Sequence, residues 1–238
     1  MRPKQVAEKF LKQNPIRDSY LIARVKNAEV LVDDSNNPCA VVLINDSTIS
    51  MRGSENSLSR IIKEIQPAEY RFHSIDRKTF EIAKKIVHDI DDRPTWMLKR
   101  PRVVFDKPIV QVEELFEEDA KVINDLWGSD ERDSTPYIRK RIRNGPAYGI
   151  RRNGELVAWC LTHYLTDKVI CFGFLHVKEE WRRNSFAKSL TEALCEDAEE
   201  KNLIPVVDIF QDNKPSLSLA ESLGFEKIGE NHWFNGRI

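Results

Sequence analysis

An apolar run at 168–177 passes through a short polar stretch into a long amphipathic helix at 185–201, and no other feature constrains the chain as tightly. In that helix Leu190, Ala193, Leu194 and Ala198 recur at helical spacing, so one face is committed to a core. A second apolar run at 204–210 reads as a buried strand. The surrounding sequence is regular. Residues 109–115 alternate as a strand, and 117–127 read as a helix whose acidic start suits the positive end of the helix dipole. A second helix at 135–143 stops at Asn144-Gly145-Pro146. Strands at 147–152 and 156–164 flank Asn153-Gly154, the strongest short hairpin signal. A helix at 214–223 ends on Gly224, and 225–228 with 232–235 read as a closing hairpin. The predicted order is β-α-α-β-β-β-α-β-α-β.

The first hundred residues are less regular. They predict a helix at 3–13 and strands at 28–33 and 39–44 about the turn residues between them. Helices follow at 57–65 and 77–90, with a strand at 70–74. Pro94, Pro101 and Pro108 mark 91–108 as a linker or strand edge, because proline removes an amide donor and fixes φ. The expected organisation is therefore an N-terminal α/β domain of unknown role at 1–108 and a second domain at 109–238. The expected fold class is α+β, with a mixed twisted sheet flanked by helices.

Composition narrows the partners. A net charge of −1 over 238 residues gives no global attraction to nucleic acid or membrane. The cluster Arg139, Lys140, Arg141 and Arg143 reads as a solvated helix face. Cys39, Cys160, Cys171 and Cys195 are widely spaced without a CxxC pair, which argues against a zinc site or disulfide framework. No metal is expected. No apolar run approaches the roughly 20 residues of a membrane span. Reduced thiols fit a cytoplasmic address, and the mildly basic N-terminus, although it carries Glu8, leaves a mitochondrial one open.

The chemistry concentrates at 177–187, Val-Lys-Glu-Glu-Trp-Arg-Arg-Asn-Ser-Phe-Ala. The first amides of a helix have no partners inside it, and with the helix dipole they form an anion site. Arg182 and Arg183 add positive charge there, and small residues at 185 and 187 let a ligand approach the backbone. This is a design for binding pyrophosphate.

The same segment resembles the acyl-CoA signature of the GNAT superfamily: Arg182 matches its first position, Ser185 stands where glycine is usual, and Ala187 matches its last. Asn213-Lys-Pro-Ser216 and Ser222-Leu-Gly224-Phe225 resemble a second signature, 26 residues after Ala187. Residues 134–139 and 154–159 are similar to the glycine N-acyltransferase-like branch. The resemblance covers about 130 residues and implies a GNAT-like sheet. It also implies acyl-CoA or acetyl-CoA as co-substrate and a small amine acceptor such as glycine or another amino acid. It assigns cofactor binding to Val177, Arg182, Arg183, Asn184, Ser185, Phe186, Ala187, Asn213 and Ser216. Two departures stand out. Cys171 occupies the place where related enzymes often carry a catalytic glutamate, and Ala220 the place of a frequent acid tyrosine.

Acyl transfer needs a neutral amine, a donor that polarises the thioester carbonyl and a proton for the thiolate. A backbone amide near Val177 can supply the donor. His176 and His163 are the candidate bases, with Asp167 or an ordered water as substitutes. A buried Cys171 would be inert. Trp159 and Trp181 line a pocket or pack the core, and Asn213 binds ligand or caps the helix after it. Three functions fit these residues: an N-acyltransferase for small amines, a protein N-acetyltransferase, and a non-catalytic acyl-CoA-binding module.

Overall fold

The computed structural model describes residues 2–101, 108–127 and 133–238. Eight α-helices and eleven strands are present among the described residues. The chain divides into two compact units. The first comprises Met1–Leu98, Ile209–Lys214 and Lys227–Ile238, and the second Lys99–Asp208 and Pro215–Glu226.

The second unit follows the predicted order closely. It contains β6 (Glu113–Glu114), α5 (Asp119–Trp127), α6 (Thr135–Asn144), β7 (Ala147–Arg152), β8 (Glu155–Leu165), β9 (Val169–Val177), α7 (Phe186–Glu200) and β10 (Ile204–Phe210), and α8 (Lys214–Ser222) falls largely within it. Its strands lie in the order β10-β9-β8-β7-β6. The strands from β6 to β9 pair antiparallel, and β9 pairs parallel with β10 from Ile204 opposite Val169. The β7–β8 turn carries Asn153 at φ 53° and Gly154 at φ 82°, the two positive values that a tight hairpin demands. Gly224, at φ 77°, closes α8 while the Phe225 amide reaches back to the Ala220 carbonyl at 3.0 Å. Leu115, Ala120, Ile123, Ile138, Trp159, Leu161 and Phe174 form the core under α5 and α6. The predicted strand at 109–115 shrinks to Glu113–Glu114, with Ile109 64% exposed, Val110 and Val112 half-buried and Leu115 buried.

The first unit departs more from expectation. It contains α1 (Pro3–Leu11), α2 (Ser19–Ile22), β1 (Glu29–Val32), β2 (Ala40–Asn45), β3 (Thr48–Gly53), α3 (Glu55–Ile62), β4 (Glu69–Asp76) and α4 (Arg77–Ala83). With them stand nearly all of β5 (His88–Lys99) and of β11 (Glu226–Arg237). The predicted β1–β2 hairpin is present. The helix expected at 77–90 ends at Ala83, and the first half of the expected linker or strand edge lies in strand β5, with Pro94 inside it. The Pro94 carbonyl still accepts the Gln211 amide at 3.0 Å. Residues 102–107 of that stretch lie outside the described residues. The predicted closing hairpin is one continuous strand, β11, which pairs antiparallel with β4 and absorbs an irregularity between His232 and Phe234. At Gly229 a Cβ would lie 2.2 Å from the Arg17 guanidinium, so a side chain there would displace the end of Arg17.

One element order also repeats along the chain. The series α1-α2-β1-β2-β3-α3-β4-α4-β5 matches α5-α6-β7-β8-β9-α7-β10-α8-β11 one for one. In both, three successive strands pair antiparallel and the third pairs parallel with the fourth. Nothing in the local sequence signals this duplication.

Candidate active site

Strand β9 ends at Val177, and Glu179–Trp181 form one 3-10 turn. The Arg182 side chain folds back so that Nε donates to the Val177 carbonyl at 3.3 Å. Asn184 Nδ2 donates to the carbonyls of Trp181 and Arg182 at 3.1 and 3.2 Å, which pins the loop from within. Arg183 and Ser185 both have positive φ, 65° and 61°. Left-handed residues alternating with ordinary ones turn successive N–H groups toward one side and make an anion-binding concavity. Residues 182–185 are all exposed. The first amide that closes an α-helical bond in α7 is that of Ser189, to the Ser185 carbonyl at 2.9 Å, so the amides before it lie in the helix's open first turn.

The start of α7 is anchored by Phe186, which is buried at 5% exposure and stacks on Trp181 with centroids 6.1 Å apart. The Arg152 guanidinium lies 4.8 Å over the same Phe186 ring. Sequence reasoning missed Arg152. It stands at the end of β7, and only strand pairing brings it to this loop.

Ser185 adopts the conformation for which glycine is usual, at a cost of roughly 1–2 kcal/mol. Ser185→Gly should therefore stabilise the protein by a few tenths to about 1 kcal/mol, after the extra freedom glycine gives the unfolded chain is subtracted. The midpoint of denaturant unfolding should rise at constant slope. A fall would mean that the Ser185 side chain supports the loop.

Two irregularities mark the β8–β9 pair. Trp159 faces His176 and Leu161 faces Gly173, so Phe174 and Leu175 together oppose Cys160 alone. Phe174 has φ 58° and is 7% exposed, a strained and buried bulge residue. Thr162 faces Phe172 and Tyr164 faces Cys171, which leaves His163, three residues along β8 from Cys160, as the extra residue of a second bulge. Neither bulge was legible in the sequence.

The two candidate histidines do not meet. His176 is half-buried and stacks on Trp159, with centroids 4.6 Å apart and planes 21° from parallel. Burial, then the neighbouring charges of Arg182 and Lys178, hold its pKa below the ordinary imidazole value of 6.5. His163 lies beside Gly173, three residues back along β9 and roughly 10 Å away. Its ring meets Phe174 edge-on at 5.9 Å. Trp159 is fully buried in the core, whereas Trp181 is half-buried beside the loop. Cys171 is 1% exposed. Asn213 stands in the turn after β10, with its amide on the Phe210 carbonyl, and Ser216 lies in the first turn of α8. No group of three or more metal-ligating side chains assembles among the described residues, and no helix among them is long and apolar enough to cross a membrane.

A structure of a Drosophila protein matches 97% of this chain and 87% of its own, at 17% identity and a TM-score of 0.75. A GCN5-related N-acetyltransferase-like protein from Streptococcus suis matches over 98% of this chain and all of its own, at 15% identity and a TM-score of 0.64. The fold is GNAT-like. A tandem GNAT protein from the clavulanic acid biosynthesis pathway also matches, over 99% of this chain and 96% of its own, at 13% identity and a TM-score of 0.56. Residues 147–234 match the model of the FR47-like protein family. No curated protein matches the chain. Within this GNAT-like fold only the second unit carries the extended loop. In the first, β3 reaches α3 through Ser54 alone, and the Asp33 carboxylate already accepts the Ser57 hydroxyl in the first turn of α3 at 2.7 Å.

Proposed function

We propose that this chain is an acyl-CoA-dependent N-acyltransferase that moves an acyl group from coenzyme A to the amine of a small acceptor, glycine or another amino acid. The observation that carries the reading is the Arg182–Ser185 loop, with its two left-handed residues, opening onto the first turn of α7. Residues 182–187 hold the pyrophosphate through backbone amides, Arg182 and Arg183 neutralise its charge, and Ser216 completes cofactor binding. The transferase chemistry is assigned to residues 109–238.

Chemically, the amine nitrogen attacks the thioester carbonyl carbon, the C–S bond breaks, and the amine's proton passes to a base. The thiolate leaves as the free thiol once protonated. The bulge at Phe174 and Leu175 breaks the ladder, and a backbone amide between it and Val177 polarises the carbonyl. His176 is the base. Its lowered pKa keeps the imidazole neutral at pH 7, ready to take a proton. A second reading, a non-catalytic acyl-CoA-binding module, draws on Cys171, buried where a catalytic carboxylate is usual. Turnover across a panel of acyl-CoAs and amino acids separates the two.

Binding itself is tested by melting. Coenzyme A and acetyl-CoA should raise the melting temperature, since a ligand specific to the folded state adds about 2.7 kcal/mol at a hundredfold excess over its Kd. If millimolar coenzyme A, acetyl-CoA and benzoyl-CoA all leave the curve unmoved, the proposed role of the loop fails.

A further inference from the structure

Helix α6 carries four basic residues, and one of them behaves differently from the rest. Arg139, Lys140 and Arg143 are exposed, and Arg143 makes two hydrogen bonds to Glu117, at 2.8 and 2.6 Å. Arg141 is half-buried. Its Nη1 donates to the His163 carbonyl at 2.7 Å, and its guanidinium carbon lies 4.9 Å over the Tyr137 ring, one helical turn back. That carbonyl belongs to the extra residue of the second bulge, where the strand ladder is interrupted. Arg141 Nε is buried without a hydrogen-bond partner, and no carboxylate pairs with Arg141 among the described residues. The guanidinium is thus held by one corner and one face, Nε is closed off, and Nη2 donates to no acceptor among the described residues. Tyr137 beside it is 38% exposed, and its ring centre lies 6.1 Å from that of Phe174, the strained residue of the other bulge.

We propose that Arg141 is the acceptor-recognition residue, its Nη2 group donating to the carboxylate of an amino-acid acceptor beside the two bulges of β8 and β9. The inference rests on the acyl-transfer reading above and deepens it. A charged Nη2 donates a charge-assisted hydrogen bond to a carboxylate oxygen, and with one corner already fixed little freedom is lost on binding. A half-buried cation without a counter-ion favours an anionic ligand over a neutral one. Tyr137 and Phe174 bound the same region with aromatic surface, which suits the carbon skeleton of the acceptor.

The test uses the full chain, wild type and Arg141→Gln, with acetyl-CoA as donor. Matched acceptors are compared: glycine with glycinamide, and phenylalanine with phenethylamine. For the variant, kcat/KM on the amino acids should fall roughly 10- to 100-fold through KM, the size expected when a charge-assisted hydrogen bond is lost. The carboxylate-free amines should change by less than about threefold, and the coenzyme A Kd should hold. Arg141→Lys, which keeps the charge but loses the fork, should recover part of the loss. An equal fall for both acceptor classes would mean that Arg141 only ties α6 to β8, and would overturn the proposal. So would a wild-type enzyme that prefers the carboxylate-free amines, although acyl transfer would then stand. If wild type binds coenzyme A but acylates nothing, the transferase reading fails. Amino-acid binding by nuclear magnetic resonance then decides on Arg141: loss of binding in Arg141→Gln supports it, and unchanged or absent binding overturns it.

Discussion

Ala187→Glu is expected to abolish coenzyme A binding while the chain stays folded. Ala187 is the second residue of α7, after the left-handed Ser185. A carboxylate at that position interacts favourably with the helix dipole, so the substitution should leave stability unchanged or slightly raised. The same carboxylate stands where the pyrophosphate is proposed to lie. Two like charges about 4 Å apart repel by about 4 kcal/mol at the effective dielectric of a protein surface, on the order of a thousandfold in affinity. Added bulk beside the backbone acts in the same direction. Calorimetric titration should give one site per chain for wild type, because only the second unit has the loop, and no measurable heat for the variant. Wild-type affinity in a folded Ala187→Glu protein would place the cofactor elsewhere. Two sites in wild type would mean that the first unit binds as well, despite the carboxylate of Asp33 in the first turn of α3.

The loop could be found from sequence because its determinants are local. A strand end, a polar turn and a helix start are adjacent in the chain, and each leaves a compositional mark. The helix Phe186–Glu200 and the strand Ile204–Phe210 were legible for the same reason, as were β7, β8 and their Asn153-Gly154 turn. What was illegible depends on partners far along the chain. Strand β5 reads His-Asp-Ile-Asp-Asp-Arg-Pro, polar and proline-broken, and its exposed and half-buried residues alternate only because a sheet has already formed around it. Ile86 and Val87 carry helical spacing and do pack into the core of the first unit, but from the segment after α4 has ended. The bulges at His163 and Phe174 are register events, created by pairing and invisible to periodicity. Arg141 looked like one member of a solvated basic face. Its contacts with His163 and Tyr137 exist only once α6 packs on β8.

His176→Gln is expected to lower the acyl-transfer rate by roughly 10²–10⁴-fold, the range for loss of a general base, with coenzyme A affinity nearly unchanged. The stack on Trp159 fixes the imidazole plane, and glutamine keeps polarity and approximate size without a titratable nitrogen. The pH dependence follows from the direction of the shift. Burial, with Arg182 and Lys178 nearby, disfavours the imidazolium, so the free-enzyme pKa lies below 6.5 and the active, neutral form dominates at pH 7. The wild-type kcat/KM should therefore be flat through neutrality. Below that pKa it should fall tenfold per pH unit, as one proton inactivates the base. The variant should lose this limb. Stability carries the same sign: the unfolded chain binds the proton more readily than the folded one. The stabilising contribution of a neutral His176 is thus present above the unfolded pKa and is lost as pH falls. A folded His176→Gln enzyme that turns over within about threefold of wild type, with its acid limb intact, would eliminate His176. The base would then be sought at His163, the bulge residue whose carbonyl holds Arg141, at Asp167, or in a water-mediated path.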